Sequence, residues 1–401
     1  MKKIVRYLLI GLLVLLIMPI LYAYLAYPAE YVNRALVWGI EDVYDYQKFS
    51  ERALEASDSP FEFSFSLDED RVRNLFEVVS GMDDFDSFIE KNRTQAFIVI
   101  QNDNILYEQY FNGSNRDTIV TSFSTAKSFT SALIGIAISE GAIDSVDDPI
   151  TDYLPELAER DPAFKNITIR NLLMMSSGIK YEEFPFVGGD NVKTYLYPNL
   201  RELALEDTHI VGSPGVEFLY NNYHPLLLGL ILERTTGTSV TDYLQEKIWS
   251  PVGMQYHGSW SLDENGFEKM ESGINARAID FAKFGRLFLH HGNWDSVQVI
   301  PADWIVEATR EDPAVDRGEY YGNLEVREPL DGYYKYMWWG LPRSNGAYDF
   351  SAVGKHGQFI YISPQADLVI VRNGEKYGIP YDEWLQIFYQ FAGAINRSPT
   401  P

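Results

Sequence analysis

Strand-like segments lie near both ends of this 401-residue chain, and a long stretch of mostly helix and loop separates them. The strand-like runs cover residues 96–100, 105–110, 333–340, 358–363 and 368–373. Strands must bury one face against another layer, so the simplest packing is a single antiparallel sheet built from both chain ends and flanked by helices. We therefore predict an α/β fold with a mostly helical second lobe. The seam between the lobes is a natural place for a pocket.

The first two runs and the segment after them predict a hairpin followed by a buried helix. Asn102-Asp103-Asn104 supplies turn residues between the runs, which favours a β-hairpin. A long helix is expected from about Ser124 to Glu140, with Gly141 ending it. The body of this helix is apolar nearly all round, which is typical of a helix at the centre of a domain.

Charge and composition exclude several classes of function. The formal net charge is −24, and such a surface repels nucleic acid, which is bound through Lys and Arg. The sequence contains no cysteine, so thiol catalysis, disulfides and zinc–thiolate sites are excluded. Its histidines show no metal-ligand spacing, and phosphate-loop and dinucleotide fingerprints are missing. We expect no metal and no cofactor.

The N-terminus is basic and then apolar. Lys2, Lys3 and Arg6 precede an almost uninterrupted apolar run of 21 residues, 7–27. A bilayer span needs ~20 such residues, and the positive charge before it puts the N-terminus inside. A cleaved signal peptide is the alternative, but its apolar core is usually shorter. We favour a retained transmembrane helix, with the rest of the chain on the periplasmic or extracellular side.

Three segments follow from these features. The boundaries predicted are 1–27 for the transmembrane anchor, 28–93 for an arm or linker that packs on the main body, and 94–397 for the main domain, with an α/β lobe at 94–144 and 325–397 and a helical lobe at 145–324.

Ser124-Thr125-Ala126-Lys127 fits the pattern Ser-x-x-Lys. On a helix, positions i and i+3 share one face, so Lys127 can reach the Ser124 hydroxyl. Burial can lower a lysine pKa from ~10.4 toward neutrality, which allows the amine to accept a proton. The pattern recurs at Ser177–Lys180, but that serine lies in a loop, whereas Ser124 opens a buried helix.

A second pattern, Tyr-x-Asn, occurs at Tyr220 and Asn222 in a loop before a strongly apolar helix. A tyrosine near the serine can relay a proton to the leaving group, and the asparagine amide can bind a substrate carbonyl. The alternative is a structural tyrosine at a helix cap. The same triplet also begins at Tyr31, Tyr110, Tyr197 and Tyr321.

The third candidate is Lys355-His356-Gly357, which opens the strand that begins at Gln358. Its lysine adds a cation that lowers the pKa of a neighbouring lysine, and the Gln358 N–H could face a substrate oxygen. His356 could instead be the base of a Ser-His-Asp triad. The Gly-x-Ser-x-Gly signature of the α/β-hydrolases, which use such a triad, is missing from the sequence.

The three patterns occur in an order that resembles the serine β-lactamase and penicillin-binding protein superfamily, in particular its class C β-lactamase-related branch. The resemblance covers roughly residues 90–395. The segments 273–285 and 354–364 are similar to 6-aminohexanoate-dimer hydrolase and esterase relatives. Other stretches that resemble the family are 141–150, 153–155, 167–173, 176–178 and 251–254.

The resemblance implies catalytic roles for Ser124, Lys127 and Tyr220: the serine is the nucleophile, and the other two share the base and acid work. It implies substrate-binding roles for Asn222, Lys355, His356, Gly357 and Gln358, with the N–H groups of Ser124 and Gln358 forming an oxyanion hole. His356 stands where the family usually has Thr, Ser or Gly. A hydroxyl that binds a substrate carboxylate is thereby lost, which argues against β-lactam recognition.

The sequence is compatible with two functions. The first is a serine hydrolase that cleaves an amide or ester bond of a small molecule or peptide through an acyl-enzyme on Ser124. The alternative is a membrane-tethered domain that recognises penicillin or a cell-wall ligand and turns it over poorly. The acidic residues Glu182, Glu183 and Asp190 either rim the pocket or form a solvated loop, and we favour the solvated loop.

Overall fold

The computed structural model describes residues 2–315, 317–321 and 330–397. Its helices are α1 (Lys2–Ala26), α2 (Ala29–Trp38), α3 (Glu69–Ser80), α4 (Phe85–Lys91), α5 (Ala126–Ser139), α6 (Pro155–Arg160), α7 (Ile169–Leu173), α8 (Asp190–Leu196), α9 (Leu200–Glu206), α10 (Tyr223–Thr236), α11 (Val240–Leu244), α12 (Ala278–Leu289), α13 (Ala302–Thr309), α14 (Arg317–Tyr320) and α15 (Tyr381–Ala394). Its strands are β1 (Ser50–Leu54), β2 (Ser64–Phe65), β3 (Thr94–Gln101), β4 (Asn104–Tyr110), β5 (Val120–Thr121), β6 (Gly258–Leu262), β7 (Ile274–Ala276), β8 (Asn293–Trp294), β9 (Val297–Gln298), β10 (Tyr333–Lys335), β11 (Trp338–Pro342), β12 (Tyr348–Gly354), β13 (Gln358–Ser363) and β14 (Leu368–Gly374).

The main sheet has eight strands in the order β10-β11-β12-β13-β14-β3-β4-β2. Neighbouring strands are antiparallel except at the edge, where β2 runs parallel to β4. The two ends of the chain meet where β14 pairs with β3, with Val369 opposite Ile100 and Val371 opposite Ile98. The predicted α/β fold, with a sheet built from both chain ends, is confirmed. A second sheet, β1-β6-β7-β5, was not predicted.

The hairpin β3–β4 shows why the predicted turn forms. Asn102 and Asp103 both have positive φ, 49° and 58°, which the two central residues of the tightest hairpin turns require. Along β3 the side chains alternate between two cores. Ile98 and its neighbours two positions away face α12, in the core that also contains α5, whereas Phe97 packs with Phe76 of α3 and Phe388 of α15. The sheet is therefore covered by helices on both faces.

Helix α5 occupies the centre of the larger core, as its uninterrupted apolar sequence predicts. Its residues from Ala126 to Ala137 are all buried. A short 3₁₀ turn, Phe123–Thr125, precedes it and packs against β12 and β13. Ser124 therefore lies in this turn rather than in the α-helix proper, while Lys127 lies in the first turn of α5.

The prediction of a transmembrane helix over residues 1–27 is wrong. A span must be both long and apolar, and within the described residues we find no helix that meets the two requirements together. Two other predictions depended on this helix: the membrane as a binding partner, and the location of the main domain on the periplasmic or extracellular side. Neither is supported without it. Near the C-terminal end of α1, Ala23 is buried in a cluster with Val32 of α2 and Leu196 of α8.

Residues 28–93 contribute elements to both sheets. Strand β1 pairs with β6 along residues 50–54, and β2 pairs with β4. Helices α3 and α4 add Phe76 and Phe85 to the core beneath β3. The domain boundaries given above stay predictions, and the division between lobes at 324 and 325 falls outside the described residues.

Candidate active site

The backbone around Ser124 is held in an unusual conformation. Phe123, directly before it, has a φ of 42°, which few residues other than glycine adopt and which is often found at functional sites. Ser122 is paired with β7 through two hydrogen bonds, from its own N–H to the Ile274 oxygen (2.7 Å) and from the Ile274 N–H to its Oγ (3.0 Å). These bonds fix the start of the turn that presents Ser124.

Lys127 touches Ser124, as the spacing predicts. The distance from Lys127 Nζ to Ser124 Oγ is 2.7 Å, and Nζ also donates to the backbone oxygen of Glu271 at 2.9 Å. The lysine is 1% exposed. Burial lowers the pKa of Lys127 to about 7, and the nearby Glu271 carboxylate acts in the opposite direction. Near neutral pH a large fraction of this amine is therefore uncharged and can accept a proton.

A buried ion pair lies behind Lys127. Lys269 Nζ is 2.9 Å from Glu271 Oε1, and their side chains are only 2% and 4% exposed. Lys269 also faces the aromatic ring of Tyr195 at 4.5 Å. Because Lys269 compensates the Glu271 charge, the carboxylate raises the pKa of Lys127 less than an isolated carboxylate would.

Tyr220 faces Ser124 and Lys127. Lys127 Nζ lies 5.0 Å from the centroid of its ring, and the ring stacks on Trp339 at 6.1 Å. Burial raises the pKa of Tyr220, while a hydrogen bond with Ser124 acts in the opposite direction. The phenol is therefore protonated at neutral pH, so it can donate a proton but is a poor base.

Asn222 lies two residues on, at the start of α10. Its Nδ2 donates to Tyr181 Oη at 2.9 Å. Its Oδ1 is buried and has no hydrogen-bond partner in the part of the chain that the structure describes. Asn222 is among the residues that line the cavity at Ser124, but its amide N–H group already donates to Tyr181, so the binding of a substrate carbonyl stays a prediction.

The strand predicted to begin at Gln358 is confirmed as β13, and residues 355–357 form the turn that joins it to β12. His356 and Gly357 have φ values of 62° and 86°. A Cβ at Gly357 would lie 1.8 Å from Arg372 Nη1, so this position has no room for a side chain. Arg372 Nη1 donates to the Gly357 oxygen at 2.8 Å, which fixes the turn to β14.

The hairpin β12–β13 brings the predicted third group to the nucleophile. Gln358 pairs with Gly354, and a Cβ on Gly354 would lie 3.1 Å from the Ser124 nitrogen. The Gln358 side chain is directed to β14, where its Nε2 donates to the Gly374 oxygen at 2.6 Å. What Gln358 can offer to a substrate is therefore its backbone.

His356 lies beside the site, with its ring 4.9 Å from Phe123. Burial and the Lys355 charge lower its pKa, and its Nε2 is buried without a hydrogen-bond partner among the residues described. The Ser124 Oγ contact comes from Lys127, which favours lysine over histidine as the base. Burial also lowers the pKa of Lys355.

A cavity of about 530 Å³ opens at Ser124. This volume is in the range of small-molecule sites. Its lining combines the predicted groups with several aromatic rings: Ser124, Tyr220, Asn222 and Lys355 with Tyr181, Phe218, Trp339, Tyr377 and Tyr381. The structure thus brings together Ser124, Lys127, Tyr220, Asn222 and Lys355, whereas the side chains of His356 and Gln358 are not among the lining residues.

Glu183 also lines this cavity, although its side chain is exposed. Its neighbours differ from it. Asp190 is buried and accepts from Tyr223 Oη at 2.9 Å, and Glu182 pairs with Lys180 at 3.1 Å. The solvated loop that we favoured therefore describes Glu182 but not Asp190.

Sequence reasoning missed Glu271, Lys269 and Glu41. Glu271 reaches Lys127 through its backbone oxygen, a group that no side-chain pattern reports. Glu41 forms an ion pair with Lys355 across 314 positions of sequence. The only available signal for Glu41 was a carboxylate in a polar loop, which is common in a chain of such negative charge.

Comparison with known proteins places this site in a family. The family model described as Beta-lactamase matches residues 85–376. The 6-aminohexanoate-dimer hydrolase of Paenarthrobacter ureafaciens is 26% identical over 314 residues, which cover 75% of this chain and 77% of that protein. A solved structure from Bacillus anthracis, assigned as a 6-aminohexanoate-dimer hydrolase, superposes with a TM-score of 0.75 at 25% identity and covers 90% of this chain and 93% of that one.

A class C β-lactamase shares the fold, with a TM-score of 0.60 at 15% identity over 84% of this chain and all of its own. The resemblance inferred from the three motifs is confirmed. The chain belongs to the β-lactamase family of serine hydrolases.

Proposed function

We propose that this protein hydrolyses an amide or ester bond of a small molecule or peptide through an acyl-enzyme on Ser124. The observation that carries the proposal is the 2.7 Å contact between Ser124 Oγ and a buried Lys127 amine whose pKa is about 7. A neutral amine in hydrogen-bond contact with a hydroxyl is the arrangement that activates a serine nucleophile.

In the acylation step, Ser124 Oγ attacks the substrate carbonyl carbon and its proton passes to Lys127. The carbonyl oxygen becomes an oxyanion, and the backbone N–H groups of Ser124 and Gln358 are the donors that we assign to it. In other enzymes the loss of one such donor costs about 2.7–4 kcal/mol. The arrangement of Gly354 beside the Ser124 nitrogen supports this assignment, because a side chain there would fill the space next to the N–H.

Tyr220 then gives its phenolic proton to the leaving nitrogen or oxygen and recovers a proton from Lys127. Its raised pKa supports the acid role rather than the base role. Water completes the cycle by attacking the acyl-enzyme ester, and the same groups transfer the protons in reverse. Asn222, which lines the cavity, contacts the bound substrate.

The substrate class is supported by the cavity and by the relatives. The aromatic lining favours an apolar acyl chain, and the Paenarthrobacter relative is named for hydrolysis of a 6-aminohexanoate dimer. We therefore place linear amides first in a hydrolysis screen, followed by p-nitrophenyl esters, D-amino-acid amides and a chromogenic cephalosporin.

A fluorescent fluorophosphonate tests the nucleophile. We expect covalent labelling of the wild type, mapped to Ser124 by peptide mass spectrometry, and no labelling of Ser124→Ala. The matched control is Ser177→Ala, which removes the serine of the second Ser-x-x-Lys pattern and should leave labelling intact. Full hydrolytic activity in a folded Ser124→Ala protein would contradict the proposal.

Incubation with a fluorescent penicillin separates the two functions considered. A penicillin label on Ser124 that decays with time supports a hydrolase. A stable penicillin label, together with no turnover in the screen, would instead support a ligand-recognising domain.

A further inference from the structure

Lys355, at the rim of the cavity, already has an anionic partner within the protein. Its Nζ forms an ion pair with Glu41 Oε1. The Glu41 side chain is 9% exposed and that of Lys355 47%. Among the described residues that line the cavity, Lys355 is the single cation. The positive charge that Lys355 could offer to a ligand is therefore compensated by the Glu41 carboxylate.

Glu41 belongs to a loop outside the segment that matches the family model, residues 85–376. The loop follows α2 and is fixed on two sides. Asp45, which is 1% exposed, accepts a hydrogen bond from the Asp42 N–H at 3.0 Å and one from Tyr195 Oη at 3.3 Å. Tyr44 Oη donates to Glu375 Oε1 at 2.5 Å, just after β14. Glu41 directly precedes the residues that make these attachments, so the position of its carboxylate is set by the fold.

The charge of Lys355 determines which acyl groups the cavity can accept. An unpaired ammonium group would bind a carboxylate on the substrate through a charge-assisted hydrogen bond. With Glu41 present, a substrate carboxylate must displace Glu41 or approach a lysine that is already neutralised. The other charged residue in the lining, Glu183, repels a carboxylate as well. Both effects act against an anionic acyl group and leave an uncharged one unaffected.

We infer that Glu41 is a specificity-determining residue that directs the cavity toward substrates whose acyl chain carries no carboxylate. This inference rests on the proposed hydrolase function and names its substrate class. Glu41 acts through Lys355 and takes no part in bond breaking. The presence of His356, which has no hydroxyl to bind a carboxylate, agrees with the same preference.

Two esters that differ in one group test the inference. p-Nitrophenyl pentanoate ends in a methyl group, and mono-p-nitrophenyl glutarate carries a carboxylate at that position. With either ester, Ser124 Oγ forms a bond to the carbonyl carbon, the bond to p-nitrophenolate breaks, Lys127 takes the serine proton, and water releases the acid. The quantity measured is the ratio of kcat/KM for glutarate to kcat/KM for pentanoate.

In Glu41→Gln we expect this ratio to rise about tenfold, because the Lys355 charge is released. The matched control is Glu30→Gln, which removes the same charge from an exposed position of the same N-terminal region and should leave the ratio unchanged. Adding Lys355→Met to Glu41→Gln should abolish the increase. A ratio that is the same in Glu41→Gln and the wild type would overturn the inference.

Binding to the Ser124→Ala protein separates this inference from the proposed function, because it requires no turnover. Calorimetry with the stable anilides of glutaric and pentanoic acid should show about tenfold tighter binding of the glutaric anilide when Glu41→Gln is added. If the glutaric anilide binds Ser124→Ala and Ser124→Ala/Glu41→Gln with equal affinity, the role of Glu41 is overturned. If Glu41→Gln tightens binding of the glutaric anilide but the protein with Ser124 intact hydrolyses neither ester, the role of Glu41 is supported and the hydrolase function is rejected.

Discussion

Two segments of this protein share the pattern Ser-x-x-Lys, residues 124–127 and 177–180, and their environments differ at every point. In the first, the serine lies in a 3₁₀ turn and the lysine lies in the following helix, and the distance from Nζ to Oγ is 2.7 Å. In the second, Lys180 is 45% exposed and pairs with Glu182, while Ser177 Oγ contacts His224 Nε2 at 2.6 Å. The second serine and lysine do not form a pair.

The difference between the two segments is one of helix geometry and burial. Helical geometry brings positions i and i+3 to the same face. Burial lowers the pKa of Lys127, whereas Lys180 is exposed and pairs with Glu182. Only residues 124–127 satisfy both conditions, so we assign the chemistry to that segment and a structural role to the other.

The largest expected effect is the loss of the Lys127 amine. Lys127→Met keeps the length and burial of the side chain but removes the base, and kcat/KM should fall by about 10³–10⁴. Lys180→Met is the matched control from the other segment and should retain wild-type activity. A Lys127→Met enzyme within tenfold of wild type, in steady-state assays of a folded protein, would remove the distinction between the segments.

A smaller effect is expected from the proton donor. Tyr220→Phe should lower kcat by about 10² for an amide, because an amine leaves poorly without a proton. The effect on a p-nitrophenyl ester should be much smaller, since that phenolate needs no protonation. Tyr197→Phe changes another Tyr-x-Asn triplet and is the control. Equal losses of kcat for amide and ester would argue against Tyr220 as the acid.

The carboxylate behind Lys127 should affect the pH dependence of catalysis. Glu271 raises the pKa of Lys127, so Glu271→Gln should move the acidic limb of the kcat/KM profile to lower pH, by less than about one unit. The double variant Lys269→Met/Glu271→Gln also removes the compensating cation, so its shift should be in the same direction but smaller. A shift toward higher pH, or none in either protein, would exclude this electrostatic contact.

The smallest effect on activity is expected at Ser177. In Ser177→Ala the buried His224 Nε2 loses its partner, which should lower the free energy of unfolding by about 1–3 kcal/mol. Hydrolysis should stay near the wild-type rate. Chemical denaturation gives the first quantity and a steady-state assay the second. A loss of activity with unchanged stability would give Ser177 a role in catalysis after all.

Local patterns predicted a large part of the site. The apolar sequence of α5 predicted a buried helix, and the helical repeat predicted the contact between Ser124 and Lys127. The turn residues Asn102 and Asp103 predicted the first hairpin. All of these predictions depend on residues that are close together in the sequence.

The features that sequence reasoning missed depend on residues distant in the chain. The contact of Lys127 with the Glu271 backbone and the pairing of Glu41 with Lys355 arise only when the chain is folded. The strand predicted to begin at Gln358 is confirmed, but sequence reasoning did not foresee the tight turn before it, which has positive φ at His356, a residue that is not a usual turn former. The predicted membrane helix has no counterpart among the described helices, none of which is both long and apolar enough to span a bilayer.

Lys127 acts as the base and is mostly uncharged only above about pH 7, its own pKa. The pH dependence of Ser124 labelling by a fluorophosphonate tests this role most directly, because the probe has no titrating group and requires no later step. We predict a labelling rate that falls about tenfold per pH unit below about 7 and is constant above it. A rate independent of pH from 5 to 9, or one that keeps rising toward 10.5, the usual pKa of lysine, would contradict the account.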